Sequence, residues 1–446
     1  MFESVLVANR GEIARRIIRT VQRMGVRAIA VYSEADADLP FVAEADEAVL
    51  IGPAAPNESY RNAHAVLEAA RQSAAQAVHP GYGFLSENAA FAAQVVEAGL
   101  AWVGPSPAAI EQMGDKIRAR NLVSAAGVPV SRGTASPVQD VAAALAAARD
   151  IGFPLMVKAS AGGGGMGMSV AADEDALPGE YEKISAFAGR MFGDSAVLLE
   201  RYFPSVRHVE VQVLGLADGR VVALGDRDCS VQRRNQKLVE ETPSPAVDDE
   251  LRQQMFKAAA RAGEAVGYRG AGTVECLLDT ASGEFVFLEM NTRLQVEHTI
   301  TEMATGLDLV EQQLLVAAEE PVTFDPDSVR SSGHAIEMRV NAEDPRRFLP
   351  GPGRITVWEE PSGEGVRVDS GYVAGNLVTP HYDSLLAKLV VHGVDRDDAL
   401  ARARTALAGF RVEGPKCNLP FFAELLENPE FVSGAYDTGL VARMRA

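Results

Sequence analysis

The sequence predicts a chain that begins as α/β and continues as α+β. Three observations carry this. The first 113 residues alternate short apolar runs with helical patterns. From residue 114 on, the strands lengthen and hairpin signals appear. After a polar, proline-containing stretch over 319–332, strands and helices mix again from Gly333 onward. Alternation of the first kind implies a parallel sheet with helices on its faces. With 446 residues, two or three domains are expected at roughly 150 residues each.

Taken in order, residues 4–8 read as a strand, and 13–24 as a helix with Ile13, Ile17, Val21 and Met24 on one face. Strands follow at 27–32 and 48–51, helices at 62–73 and 88–98, and a strand at 101–103. The pattern is Rossmann-like. The first strand-to-helix turn, Asn9-Arg10-Gly11-Glu12, lacks the G-x-G-x-x-G that lets backbone approach a pyrophosphate, so nicotinamide binding is rejected. In the second region, 141–149 reads as a short exposed helix. Strands at 153–159 and 168–171 flank a glycine run, and 197–201, 209–214 and 221–224 are further strands. Runs at 273–279 and 284–290 form a hairpin around 280–283, and helices follow at 300–305 and 307–318. The third region contains a strand at 334–340 and a helix at 396–408.

Composition removes whole classes of function. The net charge of −19 argues against a nucleic-acid partner. No window approaches the roughly 18 apolar residues of a membrane span, and the first residues do not read as a secretory leader. Only Cys229, Cys276 and Cys417 occur, without metal-like spacing, which fits a reducing, cytoplasmic setting. Lysine occurs seven times against 35 arginines, so a lysine inside a motif is less apt to be accidental.

Five constellations bear on chemistry. Gly162 to Gly165 and Gly167 follow a strand ending in Lys158. Such a run is either a flap whose N–H groups wrap phosphates or an ordinary hairpin tip. Glu275 and Glu289 stand on neighbouring apolar strands, with Asn291 on the face of Glu289. That oxygen set suits Mg²⁺ on nucleotide phosphates, and a solvated hairpin face is the alternative. The stretch 291–298 gathers Arg293, Gln295, Glu297 and His298 as an anion and acid/base cluster or a helix cap. Residues 226–237 form a dense polar stretch between strands that ends in Lys237. Residues 334–344 place Glu337 and Arg339 on one face, and an exposed edge strand with ordinary ion pairs is favoured on the residues alone.

Together these residues resemble the biotin carboxylases, a family of ATP-grasp enzymes. The motifs are ANRGEIA at 8–14, HPGYGFLSEN at 79–88, MGDK at 113–116, the glycine flap, RHVEVQ at 207–212, RDCSVQRR at 227–234, EMNTRLQVEH at 289–298, RVNAED at 339–344 and YDS at 382–384. They cover nearly the whole chain. The resemblance implies a Rossmann-like N-terminal domain (1–113), an ATP-grasp domain (114–332) with a small mobile lid at about 131–203, and a mixed C-terminal domain (333–446).

It also implies roles. Lys116, Lys158 and the flap, including Gly164 and Gly165, meet the ATP phosphates, while Glu200 to Phe203 and His208 lie on the adenine side. Glu275, Glu289 and Asn291 hold Mg²⁺ or Mn²⁺. Lys237, Arg293, Gln295 and the Val296 backbone hold bicarbonate; Glu297 is the general base; Arg339 faces the biotin ureido oxygen, with Tyr82 near biotin. The sequence departs from many relatives at Met166, where a basic residue is common, and at Asn235, where histidine is common. No Ala-Met-Lys-Met carrier motif occurs, so biotin is expected on a separate carrier protein or domain, with a carboxyltransferase partner and a homodimer implied. The stretch 416–422 leans toward an acetyl- or acyl-CoA carboxylase, hence fatty acid biosynthesis. Another ATP-grasp ligase, or a non-catalytic protein that docks the carrier, are the competing readings.

Overall fold

The computed structural model describes residues 1–160 and 167–446. The expected flap residues Gly164 and Gly165, and Met166, lie outside the described residues.

The N-terminal region is a five-stranded parallel sheet. Strands β1 (Ser4–Val7), β2 (Arg27–Ser33), β3 (Glu47–Gly52), β4 (Ala77–His79) and β5 (Ala101–Trp102) run in the order β3-β2-β1-β4-β5. Helix α1 (Gly11–Arg23) buries Ile13, Ile17, Ile18 and Val21 against one face. Helices α2 (Ala63–Gln72) and α3 (Ala89–Glu97) bury Val66, Phe91 and Val95 on the other. Asn62 and Asn88 cap them by accepting the N–H of Ala65 and Phe91, which fixes where each starts.

The turns at the carboxyl ends of β1 and β4 are locked together. Asn9 donates to the carbonyls of Pro80 and Tyr82, both at 2.7 Å. Gly81 has φ +61°, and a Cβ there would meet the Asn9 amide nitrogen at 2.8 Å, so only glycine fits. This lock delivers Tyr82 to the cleft.

Helix α4 (Lys116–Ala125) opens on Lys116, because Asp115 accepts the N–H of Ile117 and Arg118. Beyond it, helix α5 (Val141–Ile151), strands β6 (Leu155–Ala159) and β7 (Met168–Ala171), helix α6 (Leu177–Phe192) and strand β8 (Val197–Arg201) form a separate small layer with sheet order β7-β6-β8. Its core of Leu155, Val157, Leu177, Ile184 and Leu199 is its own. Helix α5 is not the exposed helix expected: Ala144, Ala148 and Ile151 are buried in that core. Alanine on one helical face is small enough to pack closely, and that composition does not separate from a solvated face by sequence.

An eight-stranded sheet carries most of the rest. Strands β9 (Val206–Gly215), β10 (Val221–Arg233), β11 (Gln236–Thr242), β12 (Gly270–Asp279) and β13 (Phe285–Asn291) are joined by β14 (His334–Asn341), β15 (Val366–Ser370) and β16 (Leu385–Gly393), in the order β13-β12-β9-β10-β11-β14-β16-β15. The third region therefore extends the second region's sheet. Strand β14 is interior, flanked by β11 and β16, which overturns the edge-strand expectation. The polar stretch 226–237 is likewise not a connection. Strand β10 runs through it to Arg233, and Arg234 and Asn235 turn with φ of 49° and 67°. Both central residues at positive φ is the type I′ pattern, which asparagine tolerates. Its polar side chains are buried because they pair with one another. Helices α7 (Asp249–Glu264) and α8 (His298–Thr305) cover this sheet, and α9 (Arg396–Gly409) packs on β16 and β14.

Candidate active site

A cleft of about 1200 Å³ opens where the three regions meet. Among its walls are Tyr82, Lys116, Lys158, Glu200, Phe203, His208, Lys237, Glu275, Glu289, Asn291, Arg293, Gln295, Val296 and Arg339. These are the residues expected from the sequence, apart from the two glycines outside the described residues and Glu297. They come from β4–β14 and from the first turn of α4, so no local stretch could form the site alone.

Lys237 is the hub. Its Nζ donates to Glu210 Oε2 at 2.7 Å, Glu275 Oε1 at 2.9 Å and Glu297 Oε1 at 2.7 Å. Burial disfavours its charge, but the three carboxylates outweigh burial and hold it protonated. Arg227 closes the network from below, with Nε on Glu210 Oε1 at 2.6 Å.

Glu297 stands at the N-cap of α8 yet makes no cap bond. Its carboxylate turns inward instead, to Lys237 on one oxygen and to Arg339 Nη2 on the other at 2.8 Å. It is fully buried and does not line the cleft; the two cations that do line it are its links to it. Burial alone would raise its pKa, but Lys237, Arg339 and Arg227 bring it well below the usual carboxylate range. It is charged at neutral pH. His298, next in sequence, is buried and neutral, with Nδ1 against the Gln295 carbonyl at 2.8 Å, so it adds nothing to an acid/base cluster in the cleft.

Arg293 is set by a long-range pair, Nε to Glu87 Oε2 at 2.8 Å, and reaches Asn291 Oδ1 at 3.0 Å. Gln295 and Asn291 donate to Glu275 at 3.1 and 2.9 Å. The Val296 carbonyl accepts from the fully buried Lys388 at 3.0 Å, which also pairs with Glu12 at 3.1 Å. Glu12 in turn accepts the Tyr82 hydroxyl. Lys158 pairs with Glu200 on the neighbouring strand of the small layer.

Glu275 and Glu289 lie directly opposite in the β12–β13 ladder. His208 Nε2 stands 2.9 Å from Glu275 Oε2, and Lys237 and His208 keep Glu275 ionised despite burial. Glu289 has no ion pair or side-chain hydrogen bond among the described residues, and burial and the Glu275 charge push its pKa up. Two facing carboxylates with the Asn291 amide beside them form a hard oxygen set, and Glu289 has no cation within ion-pair distance among the described residues. That fits Mg²⁺ or Mn²⁺.

Three contributors escaped sequence reasoning. Glu210 was visible in principle, since His208, Glu210 and Gln212 alternate onto one strand face. Glu87 gives no sign that its partner is 206 positions away. Glu240 sits in a run without alternation.

Comparison with known proteins agrees with this geometry. The chain matches the family models for the biotin carboxylase N-terminal domain over residues 1–110, the carbamoyl-phosphate synthase L chain ATP-binding domain over 115–324 and the biotin carboxylase C-terminal domain over 337–443. It is 48% identical to biotin carboxylase 2 of Bacillus subtilis over 98% of each chain. It is 46% identical to the biotin carboxylase of Pseudomonas aeruginosa, over 97% of this chain and 96% of that one. The crystal structure of a Campylobacter jejuni biotin carboxylase–β,γ-ATP complex superposes with a TM-score of 0.94 at 43% identity, covering 99% of each chain. The biotin carboxylase domain dimer of Hydrogenobacter thermophilus 2-oxoglutarate carboxylase, with MgADP, ADP and bicarbonate, gives 0.92 at 41% identity, covering 99% and 98%. Fold, cleft chemistry and full-length likeness converge: the chain belongs to the biotin carboxylase family.

Proposed function

We propose that this chain carboxylates biotin at the expense of ATP and bicarbonate. One observation carries the reading: an unbroken line of contacts from Lys237 through Glu297 to Arg339, at 2.7 and 2.8 Å, between the carboxylate pair on β12 and β13 and the wall at Tyr82. It joins a cation for an anionic nucleophile, an ionised base and a second cation that cannot lose its proton.

Lys116, Lys158, Gly164 and Gly165 bind the nucleotide phosphates. Glu200, Phe203 and His208 form the nucleotide's other wall. A divalent cation held by Glu275, Glu289 and Asn291 supplies charge neutralisation on those phosphates. Lys237, Arg293, Gln295 and the Val296 backbone hold bicarbonate. Bicarbonate is a poor, anionic nucleophile, so these cations offset its repulsion from the γ-phosphate. In doing so they transfer part of their charge from Glu297 to the substrate, which makes Glu297 a stronger base as its proton arrives. ADP leaves, and the carboxyphosphate formed decomposes to CO₂ and phosphate inside a closed site. That phosphate takes the N1 proton of biotin, and N1 attacks CO₂. Arg339 stabilises the negative charge that develops on the ureido oxygen, beside Tyr82.

Biotin arrives on a carrier protein or domain, and a carboxyltransferase consumes the product. The chain acts as a homodimer in the cytoplasm, within an acyl-CoA carboxylase. Three cysteines without disulfides and a nucleotide substrate support that compartment. The test is ADP release with and without bicarbonate and free biotin. Release that depends on bicarbonate and rises with biotin is expected; release indifferent to both would refute the reading.

A further inference from the structure

One buried carboxylate in the cleft network has no role in the scheme above. Glu240 on β11 is fully buried, and its Oε1 lies 2.6 Å from Arg339 Nη2. The same Nη2 meets Glu297 Oε2 at 2.8 Å. Among the described residues neither Glu240 oxygen has a hydrogen bond of good geometry, so the contact with Arg339 is an ion pair. Among the described residues Glu240 therefore has one ion partner, the arginine, with Lys237 a weaker and more distant hold on its charge.

Its surroundings make that charge conditional. Directly across the β11–β14 ladder stands Glu337, also fully buried. Like charges facing each other across a ladder repel. The groups around Glu240 are Arg339 and Glu337 from β14, Glu297 from the N-cap of α8, Lys237 from its own strand and the Cys229 thiol from β10. Lys388 on β16 acts on Glu337. Burial and then the Glu240 charge push the Glu337 pKa well up, against Lys388, Arg339 and the Thr299 hydroxyl, and it makes no ion pair with Arg339 among the described residues, so it is the weaker counterion.

We infer that Glu240 is a positioning residue for the biotin step: it is the carboxylate that keeps the Arg339 guanidinium in place after Glu297 has taken the bicarbonate proton. This rests on the function proposed above. Before proton transfer, Arg339 has two carboxylates on one nitrogen. After it, Glu297 is neutral, and an arginine with 15% of its side chain exposed would lack a counter-charge unless Glu240 supplied it. The exchange is reciprocal. Burial and then the Glu297 charge push the Glu240 pKa up, against Arg339 and Lys237, to about 7. Neutralising Glu297 removes one of those pushes, so Glu240 is most firmly ionised when Arg339 depends on it.

The test uses the full chain with Glu240→Gln and Glu240→Asp. ADP release is followed with and without free biotin across neutral pH, with saturating ATP and bicarbonate. In the wild type, biotin carboxylation should rise with pH as Glu240 ionises in the state that precedes proton transfer, while Glu297 is still charged. Glu240→Gln should lower kcat for biotin carboxylation about tenfold or more, the scale of one lost charged contact, and lose that acid limb. Biotin-independent cleavage should fall by less. Glu240→Asp, which keeps the charge one methylene shorter, should retain the limb and recover part of kcat; it also carries the comparison if Glu240→Gln fails to fold. A parallel fall of both activities, or an acid limb unchanged in Glu240→Gln, would overturn the inference. Absence of bicarbonate-dependent cleavage in the wild type would instead refute the proposed function, and this inference with it.

Discussion

Replacing Arg339 with serine separates a biotin carboxylase from a generic ligase with the same nucleotide site. The structure sets the size of each effect. Arg339 is the ion partner of Glu240 at 2.6 Å and one of two cations on Glu297. Without it Glu240 is a buried charge with no partner. Burial and the Glu297 charge push its pKa up to about 7 even beside Arg339; without the arginine it rises further, so Glu240 escapes the penalty by taking up a proton. The fold should therefore survive near neutral pH. Glu297 keeps Lys237 at 2.7 Å and, with one cation fewer, becomes a stronger base. The first step loses little on that account. In the proposed mechanism the second step loses the donor that meets charge on the ureido oxygen, charge that exists only once N1 is deprotonated. An interaction made only in the transition state lowers turnover of the step it serves. Arg339→Ser should slow biotin carboxylation by about 10²-fold or more, the usual scale for one oxyanion donor. Bicarbonate-dependent ADP release should fall much less. The assay measures both rates on one preparation. A parallel fall would refute the assignment of Arg339 to biotin.

Further expectations follow from the same contacts. Glu297→Gln should cut bicarbonate-dependent ATP cleavage by about 10²–10⁴-fold while nucleotide affinity, measured by calorimetry, stays near that of the wild type. Mg²⁺ titrated into the nucleotide-free chain should bind weakly, because it keeps its waters and leans on substrate phosphates; tight binding would contradict the assignment of Glu275, Glu289 and Asn291. Glu241, on the opposite face of β11 from this site, pairs with His334 and Arg396, at 2.6 and 2.7 Å, and accepts the Tyr436 hydroxyl. Burial opposes its charge, but His334 and Arg396 hold its pKa down at about 2. A depressed carboxylate stabilises the fold above its unfolded pKa and loses that contribution as pH falls toward the folded one. Glu241→Gln should thus lower stability by about 3 kcal/mol at neutral pH, read by denaturant melts, and the deficit should shrink between about pH 4.5 and 2.

The elements that repeat a local period were legible. Helix α1 was visible in Ile13, Ile17 and Val21, and the β12–β13 hairpin in its paired apolar runs. Long-range pairing was not. Nothing near His334 says that its strand lies between β11 and β16, so its charges read as surface ions when they are buried. The same holds for Val221–Arg233, where a polar sequence runs through the middle of a sheet because Glu210, Arg227 and Lys237 neutralise one another. Motif resemblance named Lys237, Arg293, Glu297 and Arg339, but the partners that set their charge, Glu210, Glu87 and Glu240, stand on other strands and loops. Electrostatics of this kind belongs to the tertiary fold and has no local period to find.

In the proposed mechanism the Lys237–Glu297–Arg339 line couples ATP cleavage to carboxylation of biotin. Transfer of label from bicarbonate to free biotin tests it most directly, with ADP release followed in the same tube. Labelled biotin is expected only when ATP, a divalent cation and bicarbonate are all present, with the label lost in Glu297→Gln and Arg339→Ser alike. Bicarbonate-dependent ADP release in the presence of biotin, with no label entering biotin, would contradict it.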